Sequence, residues 1–373
     1  MCLAFYKYIF FKNNVAINVT KSFLPPIEEY QEIIKGIWEN TWLTNNGPLV
    51  RKLEGQLKEY LNVENLLFVG NGTIAIQIAL KALNLTGEII TTPFSYCATT
   101  TSILWENLQP VFVDVEAQTF NINSDLIEAA ITEKTSAIMA THVYGRPCNI
   151  EKINSIAKKY NLKVIYDGAH GFGANYKGKS VLSFGDITTC SFHATKVFHS
   201  IEGGCIISHD NELNKKLELY RSFGHKNDDY YTMGINGKNS EFHAAMGLCN
   251  LPKVADIINN RKIISEKYDA LLNWEKLSRP TNNIEGFDYN YAYYPVLFAT
   301  EVKLLQVTEA LKKKDITPRR YFYPSLNKLP YLDFYNPCPI SENIAQRALS
   351  LPLYYDLALE DVELIVSIIN KNL

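Results

Sequence analysis

From Leu66 onward, short apolar runs recur along the chain: LLFVG, EIITT, PVFVDV, SAIMATHV, KVIYDGA, TTCSF and CIIS. Runs of this length, rich in Val, Ile and Phe, read as buried strands. Between them, stretches such as Ile74 to Leu83 and Ile150 to Tyr160 carry apolar residues at helical spacing. Strands alternating with helices predict an α/β fold with a largely parallel sheet and helices on both faces. Upstream, Pro25-Pro26 opens a predicted helix with Ile27, Tyr30, Ile33, Ile34 and Trp38 along one side. After Leu251 the alternation fades. A long helix around Lys253 to Trp274, an aromatic strand at Tyr291 to Phe298, a helix from Val302 to Lys314 and a closing helix after Glu360 follow. The pattern predicts an extension over 1–14, a large domain over 15–252 and a smaller α+β domain over 253–373. No Pro/Gly/Ser-rich linker separates the two domains, so an extensive interface between them is expected.

Composition narrows the partners. The 373 residues hold 37 Lys plus Arg against 39 Asp plus Glu, a formal charge of -2, which argues against the broad basic face that nucleic acids require. The opening MCLAFYKYIFF is interrupted by Lys7 and lacks a basic region and a small-residue cleavage site, so no secretory signal is expected. It is also shorter than the roughly 20 apolar residues of a membrane span. Cysteines at 2, 97, 148, 190, 205, 249 and 338 are odd in number and include no C-x-x-C. Reduced thiols and a cytoplasmic location follow as expectations.

Three segments carry candidate chemistry. Gly70-Asn71-Gly72-Thr73 lies after one predicted strand and opens a helix, where free N–H groups and the helix dipole favour a phosphate. A dinucleotide reading of the same glycines wants an acidic residue at the end of the next strand. That strand ends in Thr91-Thr92-Pro93-Phe94, so a nicotinamide enzyme is disfavoured. Asp167 follows Val164-Ile165-Tyr166 at a predicted carboxyl edge, where it could pair with a protonated ring nitrogen or simply cap a turn. Lys196, in Ser191-Phe192-His193-Ala194-Thr195-Lys196, follows another strand. Apolar surroundings would lower its pKa and make it a nucleophile toward an aldehyde; the alternative is a solvated loop lysine. Cys190, His193 and His199 match no zinc spacing, and no metal is expected. A phosphate turn, the aromatic Tyr96, Asp167 and Lys196 together supply what a pyridoxal 5'-phosphate site needs: a phosphate cup, a stacking ring, a partner for the pyridine nitrogen and an amine.

The motifs LTNNGP, GNGTIAIQIAL, TTPFSYCAT, PVFVDV, HVYGRPCNI, VIYDGAHGFG, SFHATKVFHSIEGG, GINGKNSEFHAAMG and RRYFYPSL occur in order from residue 43 to 326. With them the chain, from about Val15 to its end, resembles the DegT/DnrJ/EryC1/StrS family of pyridoxal-phosphate sugar aminotransferases. The resemblance implies an aspartate-aminotransferase-like fold, with Lys196 as the cofactor's covalent anchor and Asp167 beside the pyridine nitrogen. His170 falls near the phenolic oxygen, Gly72, Thr73 and Ser191 at the phosphate, and Tyr96 on the ring. Asn236 matches an asparagine reaching the neighbouring subunit's phosphate, which implies a homodimer with shared sites. Arg221, His225, Lys238, Arg319 and Arg320 become candidates for the nucleotide diphosphate, the alternative for each being a surface charge or subunit contact. L-Glutamate is the implied donor. The combination of LTNNGP, SFHATK, RRYFYPSLN and LPLY looks most like enzymes that aminate C4 of dTDP-4-keto-6-deoxy-glucose. Amination at C3, a UDP- or GDP-linked substrate, and a pyridoxal-phosphate-binding regulator without turnover are the alternatives. Relatives turned dehydratase replace the lysine, whereas Lys196 is present here.

Overall fold

The computed structural model describes residues 16–373, and the extension expected over 1–14 lies outside them. Seven strands form the central sheet: β1 (Asn65–Val69), β2 (Glu88–Thr91), β3 (Gln109–Phe112), β4 (Thr135–Thr141), β5 (Lys163–Asp167), β6 (Ile187–Ser191) and β7 (Gly204–Ser208). Each coincides with one of the apolar runs. Their spatial order is β1-β7-β6-β5-β4-β2-β3. The pairs among β6, β5, β4, β2 and β3 are parallel, and only β7 runs against its neighbours.

Alternation along each strand divides the interior into two layers. Leu66, Phe68, Ile138, Ala140, Val164 and Tyr166 enter one cluster. Leu67, Val69, Ala137, Met139 and Ile165 enter another on the opposite face. Both faces are therefore covered, as the continuous apolar runs require. The register then gathers the strand ends. Asp167 pairs with Thr141 on one side and Thr189 on the other. Gly204 pairs with Ser191 and with Val69. The carboxyl ends of β1, β4, β5 and β6 thus share one edge, where open α/β sheets hold ligands.

Helices α1 (Ile27–Asn40), α2 (Pro48–Leu61) and α3 (Gly72–Ala82) follow the chain order. The sequence pattern missed α2. Its N-terminus is stabilised from far along the chain: the Glu241 carboxylate, 1% exposed, accepts from Leu49 N–H at 2.6 Å and Val50 N–H at 3.1 Å. Negative charge at this end complements the helix dipole. The close approach also explains Gly47, where a Cβ would stand 2.6 Å from the Glu241 carboxyl carbon.

The C-terminal part builds its own core from Ile264, Tyr268, Val296, Leu304, Leu349 and Ile365. It also sends Ala292, Tyr293, Phe322 and Ile344 into the large cluster, so the two parts share buried surface. Two strand pairs also cross the boundary expected near Lys253: Ile17–Asn18 with Ile316–Thr317, tying the start of the described chain to the C-terminal part, and Asn175–Tyr176 with Phe287–Asp288. Among the described residues no helix is long and apolar enough to cross a membrane.

Candidate active site

The loop after β6 is built to lift a lysine. Phe192 and Phe198 are fully buried, with ring centroids 4.8 Å apart, and pin both flanks of the turn. Ser200 N–H donates to Phe192 C=O at 3.0 Å and Lys196 N–H to His193 C=O at 2.9 Å. The Lys196 side chain lines a cavity of about 260 Å³ together with Gly72, Thr73, Tyr96, Asp167, His170 and Ser191. With Arg319, eight sequence-predicted positions therefore meet in one place.

Asp167 is 5% exposed. Its carboxylate accepts from Thr99 Oγ1 at 2.7 Å and from Ala169 N–H at 3.1 Å. Burial pushes its pKa above the ordinary carboxylate value, while Thr99, Ala169 and the Lys196 charge oppose the shift. Such a site gains from one more cationic donor. His170 is buried, and its Nδ1 accepts from Tyr144 N–H at 3.2 Å. Burial first, then the Lys196 charge, hold it well below the usual histidine value. It is neutral, and with Nδ1 accepting, its proton is on Nε2.

Lys196 departs from expectation. Burial works against its charge, but Tyr293 and the Asp167 carboxylate outweigh that cost, and its pKa stands above the ordinary lysine value. The apolar surroundings read from the sequence are real; Tyr293, 97 positions later, and after it the Asp167 carboxylate reverse their effect.

Ser191 and α3 form the opposite wall. Gly72 is required there, since a Cβ would lie 2.9 Å from Ser191 Cβ. The Asn71 side chain caps α3 by accepting from Ile74 N–H at 2.8 Å. The first-turn N–H groups of Gly72 and Thr73 have no acceptor within the helix.

The cations divide. Arg319 is exposed and lines the cavity. Arg221 does not reach it: the side chain is 5% exposed and donates to Glu54 Oε1 at 2.5 Å and to Phe68 C=O at 3.0 Å, on the far side of the glycine turn. Arg320 is held by Glu301 at 2.7 Å and lies over the Tyr323 ring. Lys238 sits 4.6 Å over the Phe223 ring. His225 Nδ1 bonds Asn227 C=O within its own hairpin. Asn236 is exposed on the same excursion and does not line this chain's cavity. Sequence reasoning passed over Thr99, Tyr293 and Tyr321. Thr99 stood inside a recognised motif without a chemical signal, because its partner Asp167 is 68 positions away.

A buried carboxylate facing a lysine at the carboxyl edge of an α/β sheet, with a helix N-terminus opposite, defines a pyridoxal-phosphate-type site. The chain belongs to the DegT/DnrJ/EryC1/StrS aminotransferase family, which it matches over residues 26–370. It is 41% identical to the dTDP-4-amino-4,6-dideoxy-D-glucose transaminase of Escherichia coli over 92% of this chain and 95% of that one. It is 32% identical to the GDP-perosamine synthase of Escherichia coli O157:H7 over 91% and 94%. Among solved structures it resembles DesI in the presence of its TDP-sugar product, with a TM-score of 0.90 and 30% identity over 95% of this chain and 92% of that one. The family's cofactor, pyridoxal 5'-phosphate, fits the residues present: Asp167 lacks full compensation for its buried charge, Gly72 leaves room beside Ser191, and Lys196 faces both.

Proposed function

We propose that the protein transfers the amino group of L-glutamate to C4 of dTDP-4-keto-6-deoxy-D-glucose, giving dTDP-4-amino-4,6-dideoxy-D-glucose and 2-oxoglutarate. The observation that carries this reading is Lys196 facing Asp167 across one cavity in a chain 41% identical to a transaminase of that name. When bound, pyridoxal phosphate supplies an aldehyde for the amine and a ring that accepts the electron pair left at the substrate carbon. Asp167 keeps a proton on the ring nitrogen, and Thr99 holds the carboxylate that does so. His170 offers its Nε2–H to the phenolic oxygen. The α3 N-terminus, Thr73 and Ser191 would hold the phosphate, and Tyr96 would lie against the ring. The Lys196 amine, once released, takes the α-proton of glutamate and returns a proton at C4 of the sugar. Arg319 binds the nucleotide diphosphate at the cavity mouth.

The reading includes a homodimer. Phe223, Tyr230, Tyr231, Met233 and Ile235 are exposed on the excursion that carries Asn236 and Lys238. A cluster of this size fits a subunit interface better than a solvated face, and it would bring Asn236 to the partner's site. A cytoplasmic location is supported by the six described cysteines, all unpaired.

Incubation with L-glutamate and the keto-sugar, with NMR of the product, tests the proposal. An amine on C4 is the expected result; an amine on C3, or turnover only with a GDP- or UDP-sugar, would overturn the substrate assignment. Lys196→Ala should still bind the cofactor, without covalent attachment, and lose turnover.

A further inference from the structure

Tyr293 was singled out by no motif, yet it makes the only side-chain hydrogen bond of Lys196 among the described residues: Nζ donates to the Tyr293 hydroxyl at 3.2 Å. The phenol is a positioned group. It is 8% exposed, with its ring edge-on to His170 at 5.0 Å and to Tyr321 at 5.3 Å. Its backbone is anchored as well. Tyr289 Oη donates to Tyr293 C=O at 3.0 Å, and the Arg261 guanidinium holds Tyr291 C=O at 2.8 Å and Ala292 C=O at 2.5 Å.

Lys196 must be an ammonium at one stage of its work and a free amine at another. A carboxylate can serve only the first, because it accepts and does not donate. A hydroxyl serves both: it accepts from the ammonium, and on rotation it donates to the lone pair of the free amine. We propose that Tyr293 is a catalytic residue whose hydroxyl partners the Lys196 amine in both protonation states, holding it toward the reacting carbon throughout the proton transfers. The proton in transit passes between Lys196 and the substrate carbon. This rests on the assignment of Lys196 made above. The other titratable groups lining the same cavity are Asp167, His170, Tyr96, Cys190, His193, Glu202, Arg319 and Tyr321, and all are kept in the test.

The test compares cofactor-free wild type with Tyr293→Phe, which preserves the ring. Covalent capture of pyridoxal phosphate is followed by visible absorbance across pH, and bleaching by L-glutamate in single turnover. Without the hydroxyl, Lys196 loses one of the groups that raise its pKa, leaving Asp167 and Tyr321 against burial. The midpoint for capture should fall by about one pH unit, and the glutamate step should slow on the order of 10²-fold with little change in glutamate affinity. Site-specific 4-fluorophenylalanine at position 293, which fills the hydroxyl's place with an atom that neither donates nor ionises, should lower the midpoint likewise, and it carries the test if Tyr293→Phe does not fold. Midpoints coinciding with wild type would overturn the proposal and leave Tyr293 as packing. Failure of wild type to capture the cofactor at any pH would overturn the Lys196 assignment itself, and this inference with it.

Discussion

Thr99 donates from Oγ1 to the Asp167 carboxylate at 2.7 Å, joining the start of the helix Ala98–Trp105 to the end of β5. It is the side-chain hydrogen bond that opposes the rise in the Asp167 pKa. Removing it with Thr99→Val leaves shape nearly unchanged and the buried carboxylate less well held. A hydrogen bond to a charged group is worth about 1.5–3 kcal/mol. Cofactor affinity should fall at least ~10-fold, measured by absorbance titration, with the melting temperature of the cofactor-free protein lowered only slightly.

Gly72→Ala tests the phosphate wall. The added methyl meets Ser191 Cβ at 2.9 Å, where the backbone of β6 leaves little freedom. Overpacking of this kind costs about 1–3 kcal/mol, here at the contact proposed to shape the phosphate cup. Pyridoxal phosphate binding should weaken by on the order of 10-fold or more, while pyridoxal without its phosphate should lose less.

Two arginines that look alike in the sequence should behave in opposite ways. Arg221→Met breaks a buried pair and leaves Glu54 uncompensated, with side chains 6% and 14% exposed. Such a loss destabilises by about 3–5 kcal/mol, visible in urea unfolding. Arg319→Met, at the exposed mouth of the cavity, should leave unfolding unchanged and raise KM for the nucleotide sugar several-fold.

Stability should fall on the acid side through two buried histidines. Burial lowers the pKa of His142 to about 3, and burial and Lys196 hold His170 well below normal. Between those values and the ordinary one near 6.5, the unfolded chain binds protons that the folded chain does not. Folding stability therefore rises with pH in this window and is lost as pH falls, at up to about 1.4 kcal/mol per pH unit for each histidine. His142→Gln should lower the slope of unfolding free energy against pH by up to one proton, whatever its effect on absolute stability. An unchanged slope would show that His142 is protonated in the folded chain.

Much of the sheet was readable because its strands are buried on both faces, and such strands announce themselves as apolar runs. Helix α2 was not readable, since its start is stabilised by Glu241, nearly 200 residues away. The helices Asn211–Arg221 and Glu241–Asn250 also went unmarked. Lys196 and Asp167, which line one cavity, stood at strand ends and within family motifs, so chain order marked both as candidates. Arg221 had the same credentials and is occupied elsewhere, because a charge in a motif does not reveal which carboxylate will claim it.

The sequence by itself determined the α/β order, the glycine turn, the candidate lysine and the family, all of which depend on local spacing and residue type. The tertiary structure decided the electrostatics. It set Thr99 and Lys196 against Asp167, raised the lysine pKa where local apolarity pointed down, and placed the Tyr293 hydroxyl on the amine from 97 positions away. Hydrogen bonds and charge interactions act over a few ångströms of space, and strand register, which brings distant residues into that range, is a property of the folded sheet.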